Sequence, residues 1–385
     1  MSVADTLRDR IHREGPIRFD AAMELLLYGE GGFFASGAGA GRRADFLTSP
    51  EVGPLFGAVV ANRLDAEWER LGRPDPFVVV EAGAGRGALA AAVLGAGPAC
   101  GPALRYLCVE RSARLRERLA ADLPVEPPAT VLGPVVAGAD GDEDDVEVGD
   151  DDGRSGPAPS PGVGPLVAVL DDLPLVPIVG VILANELLDN LPIRLLERGP
   201  QGWLEVFVGT EGEVLVGAPA DLAGEVDRLA PDATVGARIP VQHEALAWVR
   251  RAAGTLRRGR LVVVDYADVT PSLAARPWTD WLRTYRGHAR GGLPTEHPGD
   301  QDITCEVAVD QLVRWRAPDT DVTQADWLRA HGVDALADAA RDTWRARAHL
   351  GDLEAMKARS RVSEADALTD ESGLGAFRVL EWVVG

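Results

Sequence analysis

Along most of this chain, short unbroken apolar runs are separated by stretches in which apolar residues recur at helical spacing. Phe77 to Glu81 (FVVVE), Arg105 to Glu110 (RYLCVE), Leu166 to Leu170 (LVAVL), Val179 to Ala184 (VGVILA) and Leu261 to Val264 (LVVV) are such runs. A strand without polar alternation has both faces covered, the pattern of a parallel sheet flanked by helices. Between the runs, Ala88 to Leu94 reads as a helix of small residues, and Ser112 is placed to cap a helix through Leu119. Val241 to Leu256 sets Ala245, Val249, Ala252 and Leu256 on one helical face. Leu204 to Val216 differs: it reads as two strands about Thr210-Glu211-Gly212, a hairpin inserted ahead of that helix. The fold class is α/β with a largely parallel sheet.

Composition alters that picture in one place. The chain has 385 residues, with 60 Asp and Glu against 39 Lys and Arg, for a formal charge of -21. Nine of those acids lie between Asp140 and Asp152, leaving -12 for the rest. Residues 137–165, acids followed by Pro, Gly and Ser, have almost nothing to bury and are expected to form a disordered insertion. They lack the spacing and closing Glu of a calcium-binding loop. Phosphate backbones are held by clustered Lys and Arg, so no nucleic-acid partner is expected of so acidic a chain. No apolar run approaches a membrane span, the N-terminus is too charged for a signal peptide, and Cys100, Cys108 and Cys305 form no CxxC pair. A cytoplasmic protein with reduced cysteines and no membrane partner is the expectation.

Candidate chemistry collects at the strand ends. Glu81-Ala-Gly83-Ala-Gly85-Arg-Gly87 follows the first run, and its glycines allow a tight turn and close approach of a cofactor. The spacing also satisfies a dinucleotide fingerprint, but Glu81 would repel a pyrophosphate and suit a cation. S-adenosylmethionine carries an amino group and a sulfonium and no phosphate, so it fits the turn better. Glu110 ends the second run, where a ribose-binding acid is expected. Asp171 and Asp172 close the third, either accepting from an adenine amino group or forming a plain turn. Asn185, Glu186 and Asp189 follow the fourth and place an amide and two carboxylates together, either as a site for a cation or as a helix cap. His288 could contact substrate or hold its loop; with His297 it has no third metal ligand at recognisable spacing, so no metal is expected. Trp278, Trp281 and Trp315 read as core or lid packing, with a peptide channel as the alternative.

Several segments recur in a known order. They are Gly32-Phe33-Phe34, Asp45-Phe-Leu-Thr-Ser-Pro50-Glu51 with Phe56-Gly57, the glycine turn, and Asn185-Glu186-x-x-Asp189-x-Leu191-Pro192. Asp265-Tyr266, Thr284-Tyr-Arg-x-His288, Pro298-Gly-x-x-Asp302-Ile-Thr304 and Thr323-Gln324 through Trp327-Leu328 follow. Together they resemble the MidA family of class I S-adenosylmethionine-dependent methyltransferases, which includes the mitochondrial arginine methyltransferase that assists respiratory complex I assembly. Ala44, Asn190 and Ala267 depart from the family's usual residues.

The resemblance implies a Rossmann-like, mostly parallel sheet with an antiparallel last strand, here Phe377 to Val383. It further implies a mostly helical N-terminal region over residues 1–75 and a methyltransferase domain over 76–385, carrying the acidic insertion and a substrate-side insertion at about 195–240. The implied activity is methylation of an arginine guanidinium in a protein partner. Glu186 and Asp189, with Asn185, would orient the acceptor. Glu81, Gly83, Gly85, Gly87, Glu110, Asp171 and Asp172 would hold S-adenosyl-L-methionine, and Glu51, His288 and Asp302 would contribute to the acceptor wall. Two alternatives remain at this stage: an NAD-dependent oxidoreductase, and a cofactor-binding assembly factor without turnover.

Overall fold

The computed structural model describes residues 2–37, 48–133, 161–287 and 289–385. Most of the acidic insertion, His288 and the Asp45-Phe46-Leu47 portion of the early segment lie outside the described residues. Seven strands form the main sheet: β1 (Phe77–Ala82), β2 (Leu104–Val109), β3 (Leu166–Leu170), β4 (Ile178–Asn185), β5 (Leu256–Asp265), β6 (Thr320–Thr323) and β7 (Arg378–Val384). Their order is β6-β7-β5-β4-β1-β2-β3. The pairs from β5 through β3 are parallel. β7 runs antiparallel to both β5 and β6, so the last strand takes the direction that the resemblance implied.

Six helices matter for the site: α1 (Val3–Glu14), α2 (Phe19–Tyr28), α3 (Pro54–Arg70), α4 (Ala88–Ala96), α5 (Ala113–Asp122) and α6 (His243–Thr255). The continuous apolar runs are buried on both faces. Val79 packs in a cluster with Leu55 and Val59 of α3, Leu89 and Val93 of α4 and Leu119 of α5. Its neighbours Val78 and Val80 face the other way, against Ala245, Val249 and Ala252 of α6. Ser112 caps α5 as expected, its hydroxyl accepting from the Leu115 N–H. The three cysteines are buried and unbridged, and Trp281 is a core residue.

The inserted hairpin is present as Gly202–Gly209 paired with Gly212–Gly217. It belongs to a larger antiparallel sheet that also includes Arg194–Gly199, Arg238–Val241 and Ile17–Arg18 from the N-terminal region. Two residues are too few to display a strand period, so the last of these leaves no periodic signature. A third core, with Leu7, Ile11, Met23 and Leu26 against Leu195, Val206, Trp281 and Ile303, fastens α1 and α2 to this sheet. That attachment brings α2 to the carboxyl edge of the main sheet. The strand order reverses between β1 and β4, where ligands of open α/β sheets bind.

Candidate functional site

A cleft of about 1000 Å³ opens at that reversal. Its walls come from the turn after β1, the ends of β2 to β4, α2, the segment Thr48 to Glu51, and α6. The volume is at the upper end of the range for small-molecule sites.

One side of the cleft is built by the glycine turn and β2. Gly83, Gly85 and Gly87 all have positive φ, at 74°, 55° and 78°. A Cβ placed on Gly85 would meet no atom within 4 Å, and the residue lines the cleft, so any side chain there would project into the open space. Gly87 behaves differently. It caps α4, with Leu119 and Leu123 about 3 Å from its Cβ position, and is not among the lining residues, so its role is packing of α4 on α5.

Four backbone donors of the turn are already committed. Gly83 and Ala84 N–H donate to the Val109 carbonyl at 2.9 and 3.0 Å, Gly85 N–H to Glu110 Oε2 at 2.9 Å, and Gly87 N–H to the Ala84 carbonyl at 2.8 Å. A pyrophosphate would find these four N–H groups occupied and two carboxylates nearby, which argues against the dinucleotide alternative. Glu81 lies buried in the wall, accepting the Tyr106 hydroxyl at 2.7 Å, and burial pushes its carboxyl up to about 7. Burial also raises Glu110, opposed by bonds from Ser112 N–H at 2.7 Å and from Gly85. Asp171 and Asp172 line the rim, and Asp172 pairs with Arg251 of α6 at 2.6 Å.

The opposite side centres on Glu186. It follows β4 with φ 51°, a left-handed conformation that is rare outside glycine and is found at functional sites when the surroundings enforce it. Its own N–H donates to the Val264 carbonyl at 2.8 Å. Oε1 accepts from Ser49 N–H at 3.2 Å and Asn185 Nδ2 at 3.0 Å, and Oε2 accepts from the Tyr266 hydroxyl at 2.9 Å. Burial pushes this carboxyl up to about 7, and those three donors oppose the rise. Asn185, Glu186 and Glu51 all line the cleft.

Two of the expected acids do not. Asp189 is only 2% exposed, because Leu188–Asn190 forms a single tight turn whose Leu188 and Asp189 N–H groups are drawn to Asp265 Oδ2 at 3.0 and 3.3 Å. Its carboxyl is raised well above the usual range by burial and by the neighbouring Asp265, Asp302 and Glu186. Asp302 is fully buried and holds Asn190 Nδ2 at 2.9 Å, so it supports a cleft residue from behind and is no wall. Residues that the sequence reading passed over also line the site. Tyr28 donates its hydroxyl to the Asn190 carbonyl at 3.1 Å, stacks on Phe34, and lies 4.4 Å beneath the Arg111 guanidinium. Arg111 also pairs with Glu24 of α2. None of the lining residues falls within 195–240.

Comparison with known proteins agrees with this chemistry. The model of a family of S-adenosyl-L-methionine-dependent methyltransferases matches residues 59–325, more than half of the chain. The human mitochondrial protein arginine methyltransferase NDUFAF7 is 30% identical over 353 residues, covering 84% of this chain and 72% of its own, and the mouse protein of that name is 28% identical over 351 residues. The Drosophila melanogaster homologue is 43% identical, but over 94 residues, 22% of its length. A crystal structure from Burkholderia thailandensis with bound S-adenosyl-homocysteine superposes with a TM-score of 0.75 at 28% identity, covering 99% of this chain and 91% of that one. The expectation of a cytoplasmic protein is corrected by these relatives, which are mitochondrial. Among the described residues no helix is long and apolar enough to cross a membrane.

Proposed function

The chain belongs to a family of S-adenosyl-L-methionine-dependent methyltransferases, and on that premise we propose that its acceptor is an arginine guanidinium of a protein partner, oriented by Glu186. The human and mouse relatives carry the name of arginine methyltransferases. The observation that carries the reading is Glu186 itself: a half-buried carboxylate held by three donors in the lining of the cleft, with no arginine of this chain bridged to it among the described residues.

The donor, when bound, supplies a methyl carbon activated by a sulfonium. Gly85 leaves room for it, Glu110 offers acceptors for ribose hydroxyls, Glu81 faces its cationic end, and Asp171 and Asp172 stand where an adenine amino group is recognised. Alignment then matters more than acid or metal assistance. A guanidinium stays protonated in water, with a pKa above about 12. Glu186 pairs with it, fixes its plane and localises its charge. Transfer would form one carbon–nitrogen bond as the donor's methyl–sulfur bond breaks, leaving a neutral thioether, and would release one N–H proton, which a carboxyl poised at about 7 is suited to receive. Asn185 keeps Oε1 in place. Glu51 contributes a second acidic wall, while Asp189 acts indirectly through the turn that carries Asn190. We assign residues 1–75 as the cap over the acceptor side, 76–385 as the methyltransferase domain, and 195–240 as the support on which the cap rests.

In Glu186→Gln, transfer of label from tritiated donor to protein in a cell extract is expected to fall at least about 100-fold while affinity for S-adenosyl-homocysteine changes less than about twofold. Label transfer that survives this substitution contradicts the assignment. Absence of any transfer by the unaltered protein, with the cofactor bound, favours an assembly factor without turnover.

A further inference from the structure

Glu186 lines the cleft, and its Oε2, the carboxylate oxygen with a lone pair still open, is held by Tyr266. The tyrosine follows Asp265 at the end of β5, is not among the lining residues, and reaches Oε2 at 2.9 Å from the protein side. Its ring is fixed independently of the carboxylate. Phe377 packs edge-on at 4.3 Å and 72°, and the Tyr266 N–H donates to Asp265 Oδ1 at 3.0 Å. The same Asp265 holds the Leu188 and Asp189 N–H groups through Oδ2, so one side chain anchors both the tyrosine and the turn after Glu186. A carboxylate has about four lone-pair sites, and three are taken by Ser49, Asn185 and Tyr266, which limits the directions left for a ligand.

We propose that Tyr266 is a positioning residue for methyl transfer: its hydroxyl holds Oε2 of Glu186 from behind, so that the remaining lone pair is presented to the acceptor. This rests on the reading of Glu186 as the acceptor's partner. The tyrosine itself remains a donor, since burial and the nearby carboxylates raise its hydroxyl well above the usual range. The charged or titratable groups around Glu186 are Glu51 beside Ser49, Asp189 on the following turn, and Asp265 and Tyr266 on β5 and its extension. The acids disfavour its ionised form and the hydroxyl favours it. Removing the hydroxyl therefore moves ionisation of Glu186 to higher pH.

The test uses full-length protein loaded with S-adenosyl-homocysteine, carrying 13C-labelled glutamate, with the Glu186 carboxyl signal identified by its loss in Glu186→Gln. Tyr266→Phe keeps the ring and its contact with Phe377. Its midpoint is expected about one pH unit above that of the unaltered protein. Binding of methylguanidinium at neutral pH should fall about fivefold and recover as pH rises, with S-adenosyl-homocysteine affinity unchanged. Loss of packing alone would leave the midpoint where it was. An unmoved midpoint, with methylguanidinium binding lost in Glu186→Gln, overturns the role of Tyr266 and leaves the acceptor site standing. Methylguanidinium binding that survives Glu186→Gln overturns the acceptor reading itself.

Discussion

The two sides of the cleft handle their carboxylates in opposite ways. On the side of β1, β2 and β3, three acids have local partners: Glu110 accepts from the N–H groups of Gly85 and Ser112, Glu81 from the Tyr106 hydroxyl, and Asp172 pairs with Arg251 at the exposed rim. On the side of β4 and β5, buried Asp189 and Asp265 lie near half-buried Glu186, and among the described residues no salt bridge joins any of them to a cation. Buried charges without a counter-charge are costly. The first side holds one such acid, Glu81, and the second gathers three, so the second gains most when a cation enters.

That contrast can be broken from either side. Gly85→Val should have the largest effect: it strains a φ of 55° and fills the space in front of the turn, lowering S-adenosyl-homocysteine affinity at least about tenfold by calorimetry. Normal affinity would place the cofactor elsewhere. Asp189→Asn acts on the other side through stability. Asp189 has a folded-state carboxyl raised well above its unfolded value, so its favourable contribution is present at low pH and lost as pH rises through the folded value. The amide removes that loss. Its melting temperature should exceed that of the unaltered protein by about 2–4 °C at alkaline pH, with the gap closing as pH falls into the ordinary carboxylate range. A gap independent of pH would mean that Asp189 is not buried as a neutral acid. Arg251→Ala should do least. Both partners of that pair are more than half exposed, so stability should change by less than about 1 kcal/mol in denaturant titration. A larger loss would contradict that reading of the exposed pair.

The same contrast explains what was legible in the sequence. The donor side is local: the turn from Glu81 to Gly87 and the acid at Glu110 each follow a single apolar run, and both line the cleft. The five parallel strands were equally legible, because their burial between two layers is written as unbroken apolar stretches, whereas Thr320–Thr323 has no such stretch. The acceptor side is assembled from distant segments. Ser49 reaches Glu186 across 137 positions, Tyr266 across 80, and Asp302 reaches Asn190 across 112. Spacing placed Asp189 beside Glu186 but could not indicate that Asp265 would turn it inward. Tyr266 stood in the Asp265-Tyr266 segment, yet nothing local to it signalled a bond to Glu186. The small sheet that fastens the N-terminal helices was hidden for a related reason, since Ile17–Arg18 is a strand only by virtue of Val208 and Phe207.

The central claim is that the cation completing the acceptor side is an arginine of another protein. It is tested most directly by adding the purified protein and tritiated S-adenosyl-L-methionine to an extract from a deletion strain and locating the label by mass spectrometry. The account predicts a methylated arginine side chain in a protein, formed by the unaltered enzyme and absent with Glu186→Gln. Label found on a small molecule, on nucleic acid or on another residue type would contradict it.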